Sequence, residues 1–467
     1  MGGLLTALNA GKTSLITNQK SIEIVGNNIA NVNTEGYSRQ RAELTQIPAV
    51  NFNDFFVGQG VTVSNVRRDY DVFISRQLQE KSIAFGEESG RSTPLTEMER
   101  IFNISDENLA SEMDRFFDAW QQLTTNPSGP VERDMVIQRG QLLGNAFRNT
   151  YDELDTVSKN INNSIISKID AINEKISEIA KLNDRIHLVE TSGQSANAAL
   201  DQRDLLVEDL SRTLGVQTYT DNRGMLAVQL PGGTPLVQGN QAMSLEIVTT
   251  GTDVNLQVRI GDSTKTVHLQ DMGGEFKGMF EMRDVFIADL RTDLDNLAVE
   301  FTSAVNDAHD NGYGLNDNIQ RQFFDDLAGP PPIANAARHV NVFAEIADNS
   351  NNLAAATEFP AAPGDNRNAL EIAALETTYF INGTDTFDNF FGTMVATVGI
   401  EAGRNKLALG GAKDATIQLQ NLRDGFAGVS LEEEMIDLIQ YQRGFESSAK
   451  FLSTIDEMMN SLIAMKR

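Results

Sequence analysis

Four histidines, His187, His268, His309 and His339, are the side chains best suited to metal ligation or proton transfer in this 467-residue chain. They are scattered, and none has a second ligand at metal-binding spacing. Asn306-Asp307-Ala308-His309-Asp310-Asn311 is rich in oxygen and nitrogen donors. It lacks the alternating Asp pattern and terminal Glu of a calcium loop, so it reads as the polar end of a helix. Ser447-Ser448-Ala449-Lys450 matches Ser-x-x-Lys but lies within a helical seam. There is no nucleophile elbow, phosphate-binding loop or dinucleotide fingerprint. With no cysteine, neither disulfides nor thiolate metal sites are available. The expectation is a protein that is not an enzyme and uses no cofactor and no metal.

The elements that would have to position a site are built for something else. Leu4, Leu8, Gly11, Leu15, Asn18, Ile22, Val25, Ile29 and Val32 alternate steps of four and three without a slip. That is the period of a coiled-coil seam, weakened by the gap at Gly11 and the polar Asn18. An amphipathic helix of an ordinary domain shares much of this pattern, and periodicity leaves both readings open. The turn residues Asn33-Thr34-Glu35-Gly36 should end the helix soon after Val32. At the other end Leu431, Met435, Leu438, Gln442, Phe445, Ala449 and Leu452 repeat the alternation. After a one-residue phase change the seam continues through Ile455, Met459 and Leu462. Ser430 with Glu433 forms a candidate capping box, and Glu432, Glu433 and Glu434 suit the positive end of the helix dipole.

Between the ends, Ser38 to Val66 reads as extended, and helical patterns follow near Asp69–Glu80 and Leu95–Phe102. Leu109, Met113, Phe116, Phe117, Trp120 and Leu123 share one helical face, which makes Trp120 a core residue. From Val131 to about Val189 an aliphatic seam runs through Leu154, Ile161, Ile169 and Ile176. At 1.5 Å per residue it would reach roughly 75–90 Å. Short alternating runs from Val216 to about Gly274 predict an inserted antiparallel β domain. Helix resumes at Gly278, residues 311–365 read as loop, and 365 to about 425 is helical again.

The fold class expected is therefore mainly α with an inserted β domain. A long helical rod, paired terminal helices and an outward-projecting antiparallel β domain complete it. The expected domains are a terminal coiled coil of 1–35 plus 430–467; a long-helix domain of 36–210, 278–310 and 365–429; and a β-rich outer domain of 211–277 plus 311–364. The formal net charge of −27 disfavours phosphate backbones and anionic lipid. Neither nucleic acid nor membrane is an expected partner, and no stretch approaches the ~20 apolar residues of a membrane span. No cleavable signal peptide is legible at the N-terminus. Residues 1–50 carry four Lys/Arg against three Asp/Glu, and 430–467 four against seven, so the acidity lies in the middle. Near-neutral ends suit packing against copies of the same chain.

Gly26 to Gln40, GNNIANVNTEGYSRQ, resembles the N-terminal signature of bacterial flagellar axial proteins, the rod, hook and hook-associated group. Asn27, Asn28, Asn31, Gly36 and Tyr37 carry that likeness. Ala199 to Val216, with Asp201, Arg203 and Asp204 in its Leu-Asp-Gln-Arg-Asp core, is similar to the hook–filament junction family within that group. So are Gly273–Asp284, Gly364–Leu375 and Gly428–Leu452, in the right order from end to end. The chain is short for that family, so a further outer domain of larger members is not expected. Gly444 stands where Ala is usual, at about 1 kcal/mol in helix propensity.

The resemblance implies a structural protein that self-assembles at the distal end of the hook into a tubular homo-oligomer. The second junction protein and the filament would assemble on it. It implies export by the flagellar type III apparatus without a cleaved signal peptide, an extracellular location, and a chaperone on the C-terminal helix. Hook protein and the second junction protein are the implied neighbours. Subunit packing is assigned to Leu8, Leu15, Ile22, Val25, Ile29, Val32, Leu438, Phe445, Leu452 and Met459. The alternatives are another axial protein, of the hook or distal rod, or an adhesin or enzyme displayed on the β domain.

Overall fold

A computed structural model describes residues 2–52, 55–102, 108–251, 253–316, 318–329, 333–360, 364–381 and 383–465. It is 66% helical. Helix α1 spans Gly2–Ala30, and then β1 (Gln40–Gln46), β2 (Val50–Phe52), β3 (Phe55–Val57) and β4 (Val61–Arg68) make a long hairpin. Helices α2 (Val72–Ile101), α3 (Leu109–Leu123), α4 (Pro130–Thr191) and α5 (Asn197–Leu214) follow. The inserted β region comprises β5 (Gln217–Thr220), β6 (Leu226–Gln229), β7 (Pro235–Gln238), β8 (Gln241–Ala242), β9 (Ser244–Thr250), β10 (Asp253–Ile260) and β11 (Ser263–Val267). Helix α6 (Gly274–Glu281) passes through a π turn at Met282–Phe286 into α7 (Ile287–Asp310). The short α8 (Ala344–Asp348), α9 (Arg367–Ala374), the long α10 (Phe387–Ala427) and α11 (Leu431–Met465) complete the chain.

The chain divides into two compact units. One holds residues 1–87, 168–275 and 411–467; the other holds 88–167 and 276–410. In the first, β5-β6-β7-β8 and β9-β10-β11 are separate antiparallel meanders, each following chain order. Val228, Leu236, Val237, Leu256 and Val258 turn inward with at most 1% exposure. Asn173 of α4 fastens the second meander, accepting from Leu245 N–H at 2.8 Å and donating to its carbonyl at 2.9 Å. Asn183 fastens the first through the Leu226 and Gly239 carbonyls at 2.7 and 2.8 Å. These amides supply partners that buried loop backbone would otherwise lack.

The second unit is built around aromatic rings. Phe116, Phe117, Trp120, Phe301, Phe323, Phe324 and Phe387 are all at most 2% exposed. Phe301 meets Phe387 at 5.0 Å, and Phe323 meets Phe324 at 4.7 Å between centroids, both edge-on. Such edge contacts add to what area burial alone contributes. Trp120 is core, as its helical spacing required.

Residues 311–364 differ from expectation. Among the described residues they contribute no strand to the β meanders, and they fall in the aromatic unit, held by the isolated bridges Tyr313–Ala356 and Phe324–Val342. Asn306 and His309 at the end of α7 are the fastening points. Asn306 Oδ1 accepts from Phe323 N–H and Phe324 N–H, and His309 Nε2 accepts from Ala354 N–H at 2.9 Å. The run Pro330-Pro331-Pro332 lies outside the described residues. Two helical expectations also shift. The pieces near 69–80 and 95–102 are one helix, α2, running through Pro94. Its buried face there is Ser82, Gly86, Gly90 and Pro94 at four-residue spacing, which an apolar count cannot register. The region from 365 to 425 is interrupted between α9 and α10.

Candidate assembly site

Helices α1 and α11 pair antiparallel. Ser14 Oγ and Ser448 Oγ lie 2.8 Å apart, and Asn28 Nδ2 donates to Glu434 Oε2 at 2.9 Å. Both glycines of the seam mark close approach. A Cβ on Gly11 would stand 2.9 Å from Leu452 Cδ2, and one on Gly444 would stand 2.6 Å from Asn18 Oδ1. The gap expected at Gly11 is thus filled by its partner helix, and Gly444 makes room for the polar seam residue Asn18.

Of the ten residues assigned to packing, Val25 is buried at 4% exposure. Leu8, Leu15, Ile22, Ile29, Val32, Leu438, Phe445, Leu452 and Met459 are only half-buried. Ile455 on α11 closes fully at 0%. The first turn of α11 departs from the expected seam: Leu431 and Met435 are 45% and 48% exposed while Glu434 is 1% exposed. The reason is Arg39. Its Nε reaches Glu434 Oε1 at 2.6 Å, Nη1 reaches Glu433 Oε2 at 2.6 Å, and Nη2 reaches Asp437 Oδ2 at 3.2 Å. Glu433 therefore serves Arg39, although Ser430 Oγ still accepts from Glu433 N–H at 3.4 Å. Burial works against the Arg39 charge, yet Glu434 and Glu433 hold its pKa above the ordinary value.

The family-signature residues form the clasp around this ion cluster. Helix α1 ends in successive turns, with Gly36 at φ +75°, where a side chain would strain the backbone. That turn brings Tyr37 OH to Asn27 Oδ1 and Asn28 Oδ1, both at 2.9 Å. Asn28 also bonds both backbone groups of Gln40. Asn31 donates to Asn27 O at 2.9 Å. Ser38 donates through N–H and Oγ to Asp201 at 3.0 and 2.8 Å. Arg68 then bridges Asp201 and Asp204, each at 2.7 Å. Arg203 turns away to Asn183 Oδ1 at 3.1 Å. Burial, then Asp201 and Glu434, push the Tyr37 hydroxyl up to about 12, so it remains a donor at any physiological pH.

Asn28, Tyr37, Asp201 and Asp204 thus meet in one network that joins both chain ends to α5. Sequence reading missed Ser38, Arg39, Arg68, Glu434 and Asp437 as its other members. Among the described residues no group of His, Asp or Glu is placed to hold a metal ion. No described helix is long and apolar enough to cross a membrane.

An antiparallel terminal pair, clasped by its own signature turn and carrying the rest of the chain between its ends, defines a flagellar axial protein. The Flagella basal body rod protein model matches residues 8–37, and the flagellar basal body rod FlgEFG protein C-terminal model matches 426–465. The Flagellar hook-associated protein FlgK helical domain matches 95–324. The chain is 28% identical to flagellar hook-associated protein 1 of Bacillus subtilis, over 99% of this chain and 98% of that one. It is 25% identical to the protein of that name from Salmonella typhimurium, over 98% and 99%. The fold matches the flagellar hook junction protein FlgK from Burkholderia pseudomallei with a TM-score of 0.66 at 16% identity. That match covers 76% of this chain and all of that one. The chain belongs to the flagellar hook-associated protein 1 family, and is a structural component of the flagellum at the hook–filament junction.

Proposed function

We propose that the chain self-assembles at the distal end of the hook into a tubular layer on which the second junction protein and the filament assemble. The terminal segments 1–35 and 430–467 supply the inner packing. The observation that carries this reading is the unfinished state of the terminal pair. Its seam is half-buried in a single chain, while α11 also presents Ile436, Ile439, Phe451, Met458 and Ile463 at 44% exposure or more. An apolar surface of that extent on so acidic a chain is a surface awaiting a neighbour. The ten assigned residues supply subunit packing, and this second set on α11 adds to the surface that meets the next copy.

Export unfolded through the type III apparatus without a cleaved signal, an extracellular location, and a chaperone covering the exposed face of α11 accompany this reading. A chain with no disulfide to break suits such a path. Cells lacking the gene are expected to keep hooks, lack filaments and shed flagellin into the medium, as seen by electron microscopy and immunoblotting. Loss of the hook itself would move the chain to an earlier axial position. Hydrogen exchange on the monomer should show weak protection across 1–30 and 435–465, rising on assembly. Strong protection before assembly would sink the coupling of order to assembly.

A further inference from the structure

The hairpin of β1–β4 ends in an exposed apolar knob, and its base adjoins an aromatic-lined pocket. Phe56, on the return strand β3, is 77% exposed, with Val50 at 43% and Leu44 at 50% nearby. The hairpin is pinned along α1. Thr13 Oγ1 donates to Gln59 O at 3.2 Å, and Thr17 Oγ1 donates to Val61 O at 3.1 Å. At the base, Gln40 pairs with Arg68, and Asn28 of α1 holds Gln40. Beside that base lies a cavity of about 510 Å³ lined by Tyr37, Tyr70, Tyr219, Phe426 and Arg203, among others. That volume lies within the ~300–1,000 Å³ typical of pockets that enclose a small group. Tyr70, Tyr219 and Phe426 are 39%, 47% and 54% exposed, so the apolar rim is open.

We infer that Phe56 of one copy inserts into this pocket of the next. The inference rests on the self-assembly reading above and names a further contact between copies, outside the terminal helices. Two observations favour this occupant. The hairpin's own knob is held away from the pocket, because Gln59, three residues after Phe56, is fixed beside Thr13 and the base beside Asn28. Fifteen residues of helix separate these anchors, about 22 Å at 1.5 Å per residue. The hairpin from Leu44 to Val66 carries one formal charge, Asp54, on a chain of net charge −27. It can therefore approach another copy without repulsion. A knob and a hole on different surfaces make a head-to-tail contact, which propagates as rings or helical arrays rather than closing as a dimer.

The chain has no cysteine, so two engineered thiols report the contact alone. Full-length Phe56→Cys and Tyr219→Cys chains, distinguishable by size tags, are co-produced in cells lacking the gene. Their isolated flagella are then treated with a short bismaleimide. The expected product is a dimer holding one chain of each kind. Flagella that carry filaments but yield no mixed dimer overturn the docking while leaving self-assembly standing. A wild-type chain that makes no multimers on cross-linking with an amine-reactive reagent overturns self-assembly itself. Where the thiol variants alone build no filaments, doping them at about one in ten into wild-type chains restores the lattice in which the cross-link is read. Independently, Phe56→Asp is expected to cut filaments per cell at least tenfold with the monomer's melting temperature unchanged. An unchanged filament count overturns the inference.

Discussion

The terminal helix pair and the aromatic unit make opposite use of helical packing. In the aromatic unit α3 and α7 bury Phe116, Phe117, Trp120 and Phe301 within one chain, each at 2% exposure or less. In the terminal pair nine of the ten assigned seam residues are only half-buried, and the closest interior contacts are polar, at Ser14–Ser448 and Asn28–Glu434. The first is a core that one molecule completes. The second is half of an interface, with enough specific polar contacts to set register and too little burial to be stable alone. An assembly subunit gains from this division: the aromatic unit can fold at once, while the ends stay adaptable until neighbours arrive.

The comparison breaks hardest at Phe301. Phe301→Ala removes contacts to Phe116, Phe117, Phe147, Phe324 and Phe387 and should lower the stability of the soluble monomer by about 3–5 kcal/mol in urea unfolding. Leu15→Ala, at a half-buried seam position, should cost the monomer far less while reducing assembly. Equal losses in the monomer would show that the terminal pair is a finished core after all.

Arg39→Met tests the clasp. Glu434 is the partner that matters, because its carboxylate is buried while that of Glu433 is 63% exposed and weakly coupled. Removing the cation strands Glu434, and breaking such a buried pair costs about 3–5 kcal/mol. The loss should be local and is read in the assembled flagellum: amide exchange in 428–445 accelerates while that of α3 and α7 is unchanged. A global loss of protection would mean that the clasp also supports the aromatic unit.

His309 gives the aromatic unit a pH signature. Its ring is fully buried, bonded to the Arg321 carbonyl and to Ala354 N–H. Burial pushes it down to about 4, the Arg321 carbonyl partly opposes this, and the charges of Arg133 and Arg321 lower it further. Trp120 and Phe323 pack against it without charge. With the folded value below the unfolded 6.5, the neutral ring's contribution is complete above pH 6.5. It falls as pH drops toward about 4. That span corresponds to about 3 kcal/mol. Acid unfolding of the monomer should follow this slope, and His309→Gln, which can keep both hydrogen bonds, should remove it. A slope retained in the variant would assign it to carboxylates instead.

How much of this was legible beforehand divides along the same line. Seams were readable because they repeat: every residue from Leu154 to Ile186 in the α4 seam is buried as its period required. Pairing of α1 with α11 followed from matching periods at the two ends. What repetition does not encode was missed. Arg39 and Glu434 are 395 residues apart, and nothing in a run of three glutamates marks the last of them as the one that turns inward. The 311–364 segment is fixed by Asn306, His309 and Arg133 bonding loop backbone, and single side chains capping carbonyls and amides leave no period. The small-residue face of α2 was invisible for a third reason, since Ser, Gly and Pro count as breakers although here they let a helix lie close.

The smallest effect sharpens the comparison most. At an exposed helix interior Gly444→Ala would stabilise by about 1 kcal/mol. Here the new Cβ would lie 2.6 Å from Asn18 Oδ1, the movable end of a side chain whose Nδ2 donates to Ser14 O at 2.9 Å. Shifting Asn18 loses part of that bond, a net contribution of roughly 0.5–1.5 kcal/mol. The two terms should nearly cancel, leaving monomer stability within about 0.5 kcal/mol of wild type. If Asn18, packed against Gly444, helps to set register, the pair should tolerate slippage more readily once it is displaced. Combining Gly444→Ala with Asn18→Ala should recover the propensity gain in the monomer and reduce filament number. If that double variant instead assembled as well as wild type, register in the terminal pair would have to come from Ser14–Ser448, Asn28–Glu434 and the Arg39 clasp.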